Sequence, residues 1–265
     1  MKSFILLLLI ASLSASAQNH GEAIDDKRID QLLNKLQAQQ ATGEDRNELQ
    51  KIAQAVQERA QWLEGNARDY KKAMQSTDRV IVLYEALHDS LNLAFARKNK
   101  GLLLVRMGKN TAAKTEMRTA AQLYRLTNTG AGLAAVQFDL ARLFEYETKQ
   151  DSAIYYAEQA RAYWKKQEDN LQIIVINSML VYHLLQLSRI DKAQLIYNES
   201  KLLLAKQPIH WQPQLDFYFT SMLLFRQTND ASMVSYYQDL YFNKVEALKR
   251  EGVAAPRSYY ENYGQ

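Results

Sequence analysis

Ala73, Ala113, Ala153, Ala193 and Met233 stand 40 residues apart, and neighbouring columns keep the same step. Leu63, Leu103, Leu143 and Leu223 share one column, in which His183 is the exception. Leu83, Leu123, Tyr163 and Leu203 share a second, and Tyr84, Tyr124, Trp164 and Leu204 a third. A fixed step of this length, carried in register by small and large apolar residues, predicts stacked helical hairpins. Small residues at Gly101, Ala141 and Ser221 in first helices, and at Ala113, Ala153 and Ala193 in second helices, let paired backbones approach closely. Large residues such as Phe144, Leu184 and Leu224 then fill the space between neighbouring pairs. One pair cannot bury its own apolar faces, so stacking is obligatory.

Helical periodicity begins at Asp26, where Ile29, Leu32, Leu33 and Leu36 fall on one face. It is interrupted at Thr42-Gly43-Glu44-Asp45 and resumes from about residue 46 to 63 and from about 69 to 87. Further breaks fall at His88-Asp89, Gly108-Lys109-Asn110, Asn128-Thr129-Gly130, Lys149-Gln150, Glu168-Asp169-Asn170, Ser188-Arg189, Pro208 to Pro213 and Thr228-Asn229-Asp230. Asp and Asn at these points suit the caps of the helices that follow. Nine glycines and three prolines are few breakers for 265 residues, which suits long helices on short connections. The expectation is an all-α chain: a leading helix and five helical pairs over residues 26–250, then a tail over residues 251–265.

The first residues read as an export signal. Met1-Lys2 is followed by an apolar run from Phe4 to Leu13, and Ala15-Ser16-Ala17 offers a small-residue cleavage site. A run of about ten residues is half of what a membrane span needs. Residues 1–17 are therefore expected to be a signal peptide and residues 18–25 a flexible start, with the product periplasmic or secreted. The chain has no cysteine. That excludes disulfides, thiolate metal sites, a catalytic thiol and a lipid-bearing cysteine. Thirty-three basic against 29 acidic residues make a nearly balanced surface at net charge +4, without the basic stripe that nucleic acid would call for. No membrane-spanning segment is expected after the leader.

The repeat resembles the tetratricopeptide (TPR) family. Arg68-Asp69-Tyr70-Lys71-Lys72-Ala73 is similar to the family's turn and second-helix start. Gly101 and Gly108, followed by Ala113 and Ala120, match its spacing of two glycines and two alanines. Asp151-Ser152-Ala153 with Ala160, and Ile190-Asp191-Lys192-Ala193 with Ser200, repeat the theme. The likeness covers residues 46 to about 248. The period of 40 rather than 34 resembles a longer-helix bacterial subclass; Met233 stands where the family prefers alanine, and no proline ends each second helix. The resemblance implies a right-handed α-solenoid whose first helices line a concave face, and a function in binding protein or peptide. Carried over to this sequence, that face includes Lys98, Asn99 and Arg106 in the second pair, Arg142 and Tyr146 in the third, Tyr182 in the fourth, and Tyr218 and Met222 in the fifth. Lys98 and Asn99 fall near the family's carboxylate clamp, but the next pair answers with Phe138 and Asp139, so the clamp is incomplete. A second reading is a stand-alone or truncated extracytoplasmic sensor domain of a bacterial signalling protein.

No catalytic constellation competes with a binding role, and no cofactor is implied. His20, His88, His183 and His210 are not paired at metal-ligand spacing, and there is no Walker A motif, nucleophile elbow or dinucleotide fingerprint. Asp25-Asp26 and Glu44-Asp45 lie where helices start, which suits capping. His183, in a leucine column, is either a core histidine hydrogen-bonded within the stack or a ligand contact. Tyr259, Tyr260 and Tyr263 lie in the tail, which either covers the last hairpin or reaches a partner.

Overall fold

The computed structural model describes residues 26–206 and 209–263. The expected signal peptide and flexible start lie outside the described residues. Those residues hold eleven α-helices and no strand: α1 (Asp26–Gln37), α2 (Gly43–Gly65), α3 (Tyr70–Leu87), α4 (Ser90–Arg106), α5 (Asn110–Leu126), α6 (Gly130–Tyr146), α7 (Gln150–Lys166), α8 (Asn170–Gln186), α9 (Ile190–Leu204), α10 (Trp211–Gln227) and α11 (Ala231–Arg250). A short 3-10 helix covers Tyr259–Tyr263. One leading helix and five pairs make an all-α helical-repeat protein.

The helix ends show what the 40-residue step is made of. Arg68, His88, Gly108, Asn128, Thr148, Glu168 and Ser188 all have positive φ, and they stand 20 residues apart. After each of these turns from His88 on, the next N–H reaches back over the last helical turn: Asp89 to the Tyr84 carbonyl (3.0 Å), Lys109 to Leu104 (2.8 Å), Lys149 to Phe144 (2.9 Å) and Arg189 to Leu184 (2.8 Å). This closes carbonyls that a helix end would otherwise leave open. The step is thus two 20-residue helical units. Asp69, Asp89 and Asp169 come directly after three of these turns and cap the next helix through their side chains.

The register slips once. Among the described residues the next left-handed one after Ser188 is Asn229, 41 positions on rather than 40. The extra residue lies ahead of α10, whose N-cap His210 comes 21 residues after the α9 N-cap Arg189. This moves the α10 and α11 members of every column by one, so that Phe225 continues Phe144 and Leu184, and Met222 rather than Ser221 continues Gly101 and Ala141. The Met107, Glu147, Leu187 and Thr228 N–H groups donate to the Leu103, Leu143, His183 and Leu224 carbonyls, so Leu224, fully buried, and not Leu223, continues the leucine column. Likewise Ala73, Ala113, Ala153 and Ala193 are followed by Val234, whose N–H bonds to the Asp230 carbonyl, and not by Met233. Pro213 also belongs inside α10, in its first turn, where a missing N–H costs nothing.

The helix starting near residue 46 begins earlier than the sequence suggested. Thr42 caps α2: the Asp45 N–H donates to Thr42 Oγ1 (3.1 Å) and the Thr42 N–H to Asp45 Oδ2 (2.9 Å). This is a reciprocal capping box. Lys35 Nζ of α1 lies 2.7 Å from Asp45 Oδ1, which ties α1 to the start of α2.

The chain divides into two compact units, Met1–Leu123 and Tyr124–Gln265. In the first, Ile29, Leu32, Leu49, Val56, Val80, Leu83 and Tyr84 form one core cluster, and Leu63, Ala73 and Leu103 another. Ala113 is fully buried, and a Cβ added at Gly101 would sit 2.7 Å from Met117 Cγ and 3.3 Å from the Ala113 carbonyl. The absence of a side chain there sets the close approach of α4 and α5. In the second unit the main core gathers Ala141, Ala157, Met179, Leu180, Leu184, Ala193, Tyr197, Phe217, Leu224 and Tyr237. The Tyr197 and Tyr237 hydroxyls pair at 2.7 Å inside it, so both rings are buried without an unsatisfied oxygen.

Candidate functional site

In the second unit α6, α8 and α10 are the first helices of successive pairs. α8 is apolar over most of its circumference and buries Asn177, Ser178, Tyr182 and His183 along with its aliphatic residues. After α11 the chain turns at Gly252, where φ is 84°, and the Val253 N–H closes the helix end on the Leu248 carbonyl (2.9 Å). The segment from Pro256 then returns to α10, and Pro256, Ser258 and Tyr260 are buried.

Repeat side chains hold this segment by its backbone as well as by its side chains. Asp216 Oδ1 accepts from Ser258 Oγ (2.9 Å), from the Tyr259 N–H (2.7 Å) and from Gln212 Nε2 (3.2 Å). Gln212 Nε2 also donates to the Arg257 carbonyl (3.0 Å). The Tyr241 hydroxyl of α11 accepts from the Ser258 N–H (2.8 Å) and donates to Glu261 Oε1 (2.5 Å). The Tyr260 ring stacks on Tyr182 with centroids 5.0 Å apart. The Tyr259 hydroxyl donates to Glu145 Oε2 of α6 (3.2 Å), and the Arg142 guanidinium lies 4.9 Å from the centre of the Tyr259 ring. Such a cation–aromatic contact is worth about 0.5–2 kcal/mol.

Burial dominates the electrostatics here. It pushes the Asp216 carboxyl up, against the opposing pull of the Tyr259 N–H, Ser258 and Gln212. It pushes the Tyr260 hydroxyl far above the usual tyrosine range, with the Glu145 charge adding to it. Arg142 is exposed to solvent along part of its side chain; the protein crowded around its guanidinium works against the charge, but Tyr259, Tyr260 and Glu145 outweigh this and hold it above its ordinary value. His183 lies deep beside Glu145, with Nε2 3.2 Å from Oε1. His183 is thus buried in the core, as one of the two expectations had it, with the Glu145 carboxylate facing its Nε2.

Beside the returning segment a cavity of about 360 Å³ opens between Phe138, Arg142, Val175, Met179, Pro213, Asp216 and residues 257–260. Phe138, Val175, Met179 and Pro213 line it on the apolar side, and Arg142, Gln212, Asp216 and Arg257 on the polar side. Among the described residues no cluster of three or more His, Asp or Glu side chains could hold a metal ion, and no helix is long and apolar enough to cross a membrane.

Of the residues carried over from the sequence, Arg142 and Tyr182 meet at this segment. Tyr146, at the end of α6, is 64% exposed. Tyr218 and Met222 are half-buried against the α10–α11 cluster of Leu215, Tyr241, Val245 and Leu248. In the first unit, Arg106 Nε pairs with Glu64 Oε1 at 2.9 Å and lies over the Tyr70 ring. Lys98 folds over Phe95, with Nζ 5.3 Å from the ring centre, and Asn99 lines a small hollow with Gln57, Gln61 and Thr77. The residues that the sequence reading left out of the site are Gln212, Asp216, Tyr241 and Ser258. Gln212 and Asp216, four apart on α10, carried a signal, because a buried helical acid needs donors from elsewhere.

No protein-family model and no curated protein sequence matches the chain. Solved structures do. BtubC (BKLC) from P. vanneervenii is similar over 89% of this chain and 96% of its own, with a TM-score of 0.70 at 13% identity. The nearly identical TPR-like repeats of a putative kinesin light chain from Podosopora anserina, in a single-substitution variant, are similar over 74% of this chain and 96% of their own, with a TM-score of 0.61 at 12% identity. Aspartyl phosphate phosphatase F from Bacillus subtilis is similar over 76% of this chain and 52% of its own, with a TM-score of 0.62 at 12% identity. The fold of this chain is that of TPR-like repeat proteins.

Proposed function

We propose that this chain is an exported, non-enzymatic interaction module whose α6–α8–α10 face binds an extended segment of a protein or peptide. One observation carries this reading: that face already holds a stretch of polypeptide through its backbone. Asp216 and Gln212 of α10 bond the Tyr259 N–H and the Arg257 carbonyl, Tyr241 of the neighbouring α11 adds the Ser258 N–H, and rings and Arg142 grip the side chains. Backbone bonds for affinity, with aromatic and arginine anchors for selection, are the working parts of peptide recognition. Arg142, Tyr146, Tyr182, Tyr218 and Met222 are the proposed partner-binding residues of that face; in the first unit, taken by itself, Lys98, Asn99 and Arg106 of α4 are the proposed partner-binding residues. The TPR-like fold supports a protein partner, and the composition of residues 1–17 supports export.

A photo-crosslinking residue in place of Val175, which lines the cavity, tests the site. It is expected to capture a partner from the cell envelope, and Arg142→Ala should abolish that capture. Equal capture from Leu195, 70% exposed on α9, would contradict the reading. A reporter fused behind residues 1–17 should leave the cytoplasm, and its retention would remove the export element.

A further inference from the structure

The segment seated in the groove shows what the groove selects. Ser258 supplies a hydroxyl to Asp216, Tyr259 an aromatic ring to Arg142 and a hydroxyl to Glu145, Tyr260 a ring to Tyr182, and Glu261 a carboxylate to the Tyr241 hydroxyl. Four consecutive residues are each matched by a different repeat side chain. Tyr260 joins the buried core cluster, as the apolar side of a solenoid cap would, while Ser258, Tyr259 and Glu261 add polar contacts at set positions. The segment also leaves space unused. Arg257, an exposed residue, borders a cavity of about 360 Å³ whose other walls are the apolar Phe138, Val175, Met179 and Pro213 and the polar Arg142, Gln212 and Asp216.

From the groove reading above, on which this rests, we propose that residues 257–261 are a built-in stand-in for the partner, and that the partner is an extended segment of the pattern bulky apolar, hydroxyl, aromatic, aromatic, acid. The apolar residue takes the place of Arg257 and enters the cavity. A tethered occupant competes at an effective concentration in about the millimolar range, so an external segment of the same sequence is shut out. Burying one aliphatic side chain in the cavity raises affinity by roughly tenfold or more, which lets the correct partner displace the stand-in while others stay excluded. The occupied groove is therefore a selectivity gate as well as a site.

Fluorescence anisotropy of two labelled peptides, Pro-Leu-Ser-Tyr-Tyr-Glu and Pro-Arg-Ser-Tyr-Tyr-Glu, tests this on the full chain. The leucine peptide should bind at least tenfold more tightly than the arginine peptide. Tyr260→Ala, which removes the ring on Tyr182, should raise affinity for both by tenfold or more, and Asp216→Ala in that background should abolish binding. Amide exchange over residues 257–261 reports release of the segment independently. If Tyr260→Ala does not fold, Tyr259→Ala, at a half-buried position, takes its place. Equal affinity for the two peptides, no binding to a variant with a released segment, or a segment that neither variant releases would each overturn the proposal. If the peptides fail while capture from Val175 still depends on Arg142, the partner chemistry is wrong and the groove reading stands. If both fail, neither survives.

Discussion

Thr148 shows how much the repeat tolerates at a single residue. It is a β-branched, exposed side chain with a φ of 55°, a region that favours glycine. Thr148→Gly should stabilise the protein by about 0.5–1 kcal/mol, the relieved strain outweighing the extra freedom of the unfolded chain, and raise the melting temperature by a few degrees. Gly101 is the reverse case. Gly101→Ala must move Met117 and should cost about 1–3 kcal/mol by overpacking. His183 and Glu145 are coupled in a different way. Each is nearly inaccessible, and they lie 3.2 Å apart without hydrogen-bond geometry. Replacing Glu145 leaves His183 without its facing carboxylate, whereas replacing both with leucine removes the buried pair and puts leucine into the column made by Leu103, Leu143 and Leu224. The double variant should melt above either single variant, and a strictly additive loss would contradict the coupling.

Between helices, small residues and one buried acid set the packing. Ala113 and Ala153 are fully buried, and Ala113→Leu or Ala153→Leu should cost about 1–3 kcal/mol in thermal or urea unfolding. The Asp45 carboxyl is held far below the usual carboxylate range, first by its hydrogen bond to Lys35 and then by Thr42. A depressed value in the folded state means that its stabilisation is present above the unfolded value of 3.8 and is lost as pH falls below it. Acid should therefore loosen α1 from α2 in wild type, and Asp45→Asn should flatten that part of the pH profile. The helical units were legible because every turn repeats the same backbone problem at a fixed interval. The slip before α10 was not, because one added residue leaves local composition unchanged, and Leu223 and Leu224 or Met233 and Val234 fit either register. Only the carbonyl each N–H reaches distinguishes them.

For the molecule as a whole, the candidate site was half legible. Arg142 and Tyr182 could be placed on a first-helix face from the repeat phase. Asp216 and Gln212 could not, because their role depends on Ser258 and Tyr259, which lie 42 and 43 residues beyond Asp216 and outside the repeat. The claim at this scale is that residues 257–261 occupy a groove and can leave it without unfolding the repeats, although Tyr260 sits in the buried core cluster. Amide hydrogen exchange in the full-length Asp216→Ala variant tests it most directly. Residues 257–261 should exchange rapidly while α6 to α9 keep wild-type protection. A segment that stays protected, or a second unit that loses protection together with it, would contradict the claim.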